Sequence, residues 1–189
     1  MLSAAQSQRK RRVRQSGTTI AEVLTMAAVA GVLLSAGAPS MQSLAVRNRV
    51  QESTHLFVTT LTAARNAAVE RGAQVVIARA PDASWRDGWT VFVDDDRDGA
   101  PGSGEEILRQ VAALPIEVVA VSDAKFAEHI TFDASGRLLT AGGGAILLCH
   151  PAHGASRAVD RLIVVNASGR TRIESEFERP DLYGLCTSS

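Results

Sequence analysis

From Thr18 to Ala38 the chain is almost continuously apolar, broken by one acid, Glu22, and no base. A helix of that length rises about 30 Å, enough to cross the hydrocarbon of a bilayer. Beyond Pro39 the pattern becomes periodic. Met41, Leu44, Ala45, Leu56, Leu61, Ala64 and Ala68 recur mostly at three- and four-residue spacings, with Arg47, Arg49, Glu52, Arg65 and Glu70 between them. That spacing predicts a helix with one apolar face, ending at Arg71-Gly72, where a base is followed by a glycine cap. Pro39 is expected to kink or loosen the helix it interrupts.

After Gly72 the period shortens. QVVIARA, GWTVFVD, EILRQVAAL, IEVVAVS, HITFD, RLLT, AILLCH, RLIVVN and RTRIES are short, rich in β-branched residues and separated by turn residues. They predict strands. DASGR (Asp133–Arg137) and NASGR (Asn166–Arg170) predict two tight turns with glycine in a left-handed position. The fold class that follows is α+β: a long N-terminal helix, transmembrane in its first half, packed by its second half on an antiparallel sheet. The expected divisions are a basic segment over 1–17, the membrane helix over 18–39, the amphipathic half over 40–72 and the β-rich domain over 73–189. The loop GAPGSGE and the tail after Arg179 are expected to be the most flexible parts.

Charge sharpens this picture. Residues 1–17 carry Arg9, Lys10, Arg11, Arg12 and Arg14 and no acid. Bases ahead of an apolar helix predict a cytoplasmic N-terminus and an exported C-terminal domain. Without those five, fifteen bases face twenty acids, a formal charge of −5. An acidic domain attracts polyanions poorly, so any nucleic-acid contact has to come from a local patch. An exported domain also permits Cys149 and Cys186 to pair; two free thiols are the alternative.

Glu22 is the residue that a plain anchor or a secretory signal does not explain. An ionised carboxylate in lipid costs about 2.5–3.5 kcal/mol or more, so it usually has a partner. Gly17 followed by Thr18-Thr19-Ile20-Ala21-Glu22, after a basic leader and before an apolar helix, resembles the class III signal of type IV pilins and pseudopilins. AARNAAVERGAQV, WRDGWTVFVDDDRDG, EEILR, FDASGR and NASGRTR are similar to the GspH/FimT branch of that family. The resemblance implies cleavage after Gly17 by prepilin peptidase and methylation of the new amine of Thr18, although the family usually has Phe there. It implies that Glu22 meets the Thr18 amine of a neighbouring subunit, an assembly device. The implied partners are other pilins or pseudopilins, inner-membrane lipid and the peptidase. The implied location is the inner membrane, single-pass, with the C-terminal domain periplasmic.

Three further motifs carry candidate chemistry. Asp94, Asp96, Asp98 and Glu105 fit the calcium-loop pattern D-x-D-x-D-G-x5-E, whose carboxylates suit a hard cation; a solvated hairpin tip is the other reading. Arg170 and Arg172 in GRTR fall on one face of a strand and could grip phosphates. They resemble an element that some FimT-like minor pilins use to bind DNA, and Arg157 and Arg161 would widen the patch. The alternative is an ordinary hairpin whose arginines pair with Glu174, Glu176 or Asp160. Cys149, His150 and His153 are too few for a zinc site, and a disulfide would consume the cysteine. The sequence offers no nucleophile elbow, phosphate loop or paired catalytic carboxylates, and so no reason to expect an enzyme or a cofactor other than calcium.

Overall fold

The computed structural model describes residues 19–151, 159–175 and 177–187, with the side chains of 33–43 and 187 left aside. The chain divides into two units, residues 1–41 and 42–189. The elements are α1 (Ile20–Arg71), β1 (Val75–Arg79), β2 (Trp89–Val93), β3 (Ile107–Val111), β4 (Val119–Ser122), β5 (His129–Phe132), β6 (Gly144–Cys149), β7 (Arg161–Val165), β8 (Thr171–Glu174) and α2 (Pro180–Thr187). The helical hydrogen-bond pattern continues through Pro39. Gly72 ends α1 with φ 62°, and the Ala73 N–H reaches the Ala68 carbonyl at 3.3 Å.

In the larger unit the strands form two four-stranded antiparallel sheets, ordered β3-β2-β1-β5 and β4-β6-β7-β8, where the sequence pattern had predicted one. Alternation explains how both fold onto one core. Val75 and Ile77, Val91 and Val93, and Ile130 and Phe132 point inward from the first sheet. Ile146 and Leu148, and Ile163 and Val165, point inward from the second. Between them lie Val50, Phe57, Leu61, Ala64 and Ala68 of α1, one helical face. Leu61, Ala64 and Ala68 of the expected apolar face are thus buried, whereas Leu44 and Ala45 are exposed. Phe57 is the centre of this core. Its ring stands 4.6 Å from that of Trp89 and 5.5 Å, edge-on, from that of Trp85. Buried Thr54 and Thr60 donate to the carbonyls of Val50 and Leu56, four residues back, so their hydroxyls cost little inside the core.

Two expectations need correction. RLLT is not a strand; it contributes one isolated bridge, Phe132 to Leu138, because the chain is turning there. The tail after Arg179 is not irregular but helical over Pro180–Thr187. Pro180 opens α2 at the position where a missing N–H is harmless. Leu182 and Cys186 then pack on the outer face of the second sheet with Val119, Ala145, Leu147 and Leu162. Cys186 is joined to Cys149 of β6 by a disulfide, with Cα atoms 6.5 Å apart and a sequence separation of 37.

Candidate functional site

Three regions carry the residues of interest, and each is described on its own. The first is the start of α1. Thr19 precedes the helix, and its hydroxyl accepts the backbone N–H of Glu22 at 3.3 Å. The Thr19 carbonyl accepts the first helical bond, from Val23. Thr19 is therefore the helix cap and Glu22 the third helical residue, an arrangement in which an acid favours the positive end of the helix dipole. Past it, Ile20, Val23, Leu24, Met26, Val29 and Val32 are all more than half exposed, Ile20 by 81%. These exposed apolar side chains lie on all sides of the helix start. Gly17 and Thr18 lie outside the described residues. Among the described residues no helix is long and apolar enough to cross a membrane; the expected span includes residues 33–40, whose side chains are not described.

The second region is built by the two turns of like sequence. In each, the first residue's side chain accepts the backbone N–H groups of the third and fifth: Asp133 from Ser135 and Arg137, Asn166 from Ser168 and Arg170. Gly136 and Gly169 sit at φ 74° and 75°. The turns touch. The Leu138 N–H donates to the Ala167 carbonyl at 3.2 Å. A Cβ on Gly169 would run into the Gly136 carbonyl oxygen and the Arg65 side chain. Arg65 Nε donates to that same Gly136 carbonyl at 2.8 Å, tying both turns to α1. Hydrogen bonds from the Ser135 hydroxyl and from the Ser135 and Arg137 N–H groups hold the Asp133 carboxyl below its ordinary value.

This geometry places Arg170 at the end of the second turn, exposed, and Arg172 within edge strand β8. The side chain of Arg172 is 70% exposed and forms an ion pair with Glu174 at 2.7 Å, one of the pairings foreseen for an ordinary hairpin. Arg137 ends the neighbouring turn and is likewise exposed. Arg161 donates to the Asp160 carbonyl. Arg157, Glu176 and His153 lie outside the described residues.

The third region is the loop between β2 and β3. Carboxylate oxygens of Asp94, Asp96 and Asp98 lie within 4.8 Å of one another. Glu105, the fourth residue of the sequence pattern, is not among them. Its two oxygens accept the Asp95 N–H at 3.0 Å and the Gly102 N–H at 2.7 Å, so it closes the loop on itself. Beside this loop, Arg71 at the end of α1 grips Glu106 with two hydrogen bonds. That contact raises the guanidinium's pKa and lowers the carboxyl's.

Sequence reasoning missed α2 and the anchoring role of Arg65. Pro180-Asp181 was a legible helix start. Nothing local marks Arg65, whose partner lies 71 residues away.

A long N-terminal helix, apolar and exposed at its start and packed by its second half against antiparallel sheets, defines a pilin-like α+β fold. The chain belongs to the GspH family: the model described as "Type II transport protein GspH" matches residues 53–169, more than half its length. Among solved structures it is similar to the type IV minor pilin FimU of Pseudomonas aeruginosa strain PAO1. One crystal form gives 24% identity and a TM-score of 0.55 over 68% of this chain and 90% of that one. A second gives 23% and 0.52 over 66% and 91%. At that identity the likeness establishes the fold. No curated protein matched the chain.

Proposed function

We propose that this chain is a minor pilin or pseudopilin that acts by assembly into a filament, not by catalysis. The observation that carries the reading is the start of α1: residues Ile20 to Val32 expose apolar side chains with one acid, Glu22, three residues past the cap. An apolar helix surface has to be covered, first by inner-membrane lipid and then by the helices of neighbouring subunits. Prepilin peptidase cuts after Gly17, and the new Thr18 amine, methylated in the family, pairs with Glu22 of the next subunit. Two charges that are costly alone in an apolar filament become tolerable together. The Cys149–Cys186 disulfide fits a domain that folds in an oxidising compartment, the periplasm. The host is a type II secretion pseudopilus or a type IV pilus; the family description favours the first and the FimU-like fold suits both. Mass spectrometry of the chain isolated from membranes tests the reading. A mature N-terminus at Thr18 supports it, and an intact residue 1–17 leader on membrane-embedded chain refutes it.

A second reading has its own observation. Arg137 and Arg170 end two turns that touch each other, so exposed guanidinium groups come from neighbouring loops. That is a local basic patch of the kind an acidic domain needs to bind DNA during uptake. Binding at low salt that falls steeply with salt, and is lost when Arg170 and Arg172 are both changed to Ala, supports DNA uptake. No binding at low salt leaves the structural role alone.

A further inference from the structure

We infer that the β2–β3 loop is a calcium site formed by Asp94, Asp96 and Asp98, independent of filament assembly. The acidic cluster alone would not establish this, since solvated acidic loops are common. The decisive feature is Asp94. It is 2% exposed, and its Oδ1 is buried with no hydrogen-bond partner. Its Oδ2 is already used, accepting from Gln74 Nε2 at 2.7 Å and from the Gly99 N–H at 3.3 Å. The Asp94 N–H also donates to the Gln74 carbonyl at 3.0 Å, so the residue is fixed at the end of β2 by main chain and side chain together. A carboxylate oxygen held in place and stripped of water without a donor is strongly unfavourable unless something positive meets it.

No base does so. Among the described residues none of the three carboxylates takes part in an ion pair. Asp96 and Asp98 each give an oxygen to the loop's own backbone, the Asp98 N–H at 3.2 Å and the Ala100 N–H at 2.7 Å. Each keeps its other oxygen for a ligand. Oxygens within 4.8 Å of one another can reach one ion at the roughly 2.3–2.6 Å that calcium prefers. The donor set is oxygen only, with no histidine or thiol, which selects a hard cation. Two ligands on an exposed irregular loop and one at a strand end suit calcium, which accepts irregular geometry, better than magnesium, which demands an octahedron. The fourth residue of the sequence pattern, Glu105, is spent on the Asp95 and Gly102 N–H groups, so water or loop carbonyls would complete the ion's shell. An ion at this place pins the loop over the outer face of the first sheet, where Val76, Ala78 and Phe92 form a small buried cluster and Gly99 lies against the His129 ring.

The test is calorimetric titration of Ca²⁺ into the full chain in detergent, after washing with chelator, with Mg²⁺ as a parallel titrant. One ion should bind per chain with a Kd at or below about 1 mM, and Mg²⁺ at least about tenfold more weakly. Asp94→Asn risks the fold, so the variants are Asp96→Asn and Asp98→Asn, both at exposed positions. Each should weaken Ca²⁺ binding about tenfold or more while the far-UV circular dichroism stays unchanged. Absence of heat at about 5 mM Ca²⁺ overturns the proposal, as does equal binding by either variant or equal affinity for Mg²⁺. Filament incorporation plays no part in this readout, so the result stands apart from the assembly reading.

Discussion

Arg65 Nε donates to the carbonyl oxygen of Gly136 at 2.8 Å, so the second half of α1 holds a turn that lies 71 residues further along the chain. Gly169 of the matching turn rests against the same carbonyl. One guanidinium thereby fixes the junction of α1, the β5 turn and the β7–β8 hairpin. Arg65→Met keeps the aliphatic stem and removes the donor, and should cost about 1–2 kcal/mol by urea denaturation. Gly136→Ala adds left-handed strain and places a methyl 2.8 Å from Val69 Cγ2, so it should cost about 2 kcal/mol or more.

Phe57→Ala should be the most damaging single truncation in the core. The ring is fully buried and touches both tryptophans. The expected loss is about 3–5 kcal/mol, with weakened near-ultraviolet circular dichroism from Trp85 and Trp89. A loss under about 1 kcal/mol would mean that the helix is not seated as described.

Closing a 37-residue loop by the Cys149–Cys186 bond restricts the unfolded chain by about 3–4 kcal/mol. Reduction, or Cys186→Ser, should lower Tm by about 10 °C and free α2 first. Limited proteolysis near Arg179 should then speed up under reducing conditions, and an unchanged cleavage rate would contradict the placement of α2.

The twin turns give a prediction in pH. Asp133 is held below the ordinary carboxyl value of about 3.9 by hydrogen bonds that its ionised form accepts, first from the Ser135 hydroxyl. A depressed folded-state pKa contributes stability that is complete above the unfolded value and is lost as pH falls through the folded one. The first turn should therefore loosen only below about pH 4, whereas its partner, with neutral Asn166 in the same place, should not respond. Asp133→Asn should remove that acid sensitivity and keep the turn. A side-chain carbon shift titration placing Asp133 at or above about 3.9 would contradict this.

Much of this architecture was legible because it is local. The helix end at Arg71-Gly72, eight of nine strands and both [DN]-A-S-G-R turns follow from periodicity and glycine placement, and the fold confirms them. The split into two sheets was not legible, since β5 joins β1 and β4 joins β6 through pairings that no local pattern encodes. RLLT reads as a strand by composition, yet turn geometry limits it to one bridge. The acidic loop was visible as a motif, but the diversion of Glu105 to backbone donors depends on how the loop closes. Arg172 was visible as a candidate phosphate ligand, and its engagement by Glu174 follows from the two lying on one face of β8.

Glu22 gives the most direct test of assembly. Cells carrying wild-type chain, Glu22→Gln or Glu22→Asp would be sheared, and the filament and membrane fractions probed for the chain. The account predicts wild-type chain in both fractions, and Glu22→Gln inserted in the membrane but depleted at least about tenfold from filaments, with Glu22→Asp between them. Glu22→Gln entering filaments as well as wild type would contradict the account, because the one acid in the apolar first part of α1 would then have no partner to meet.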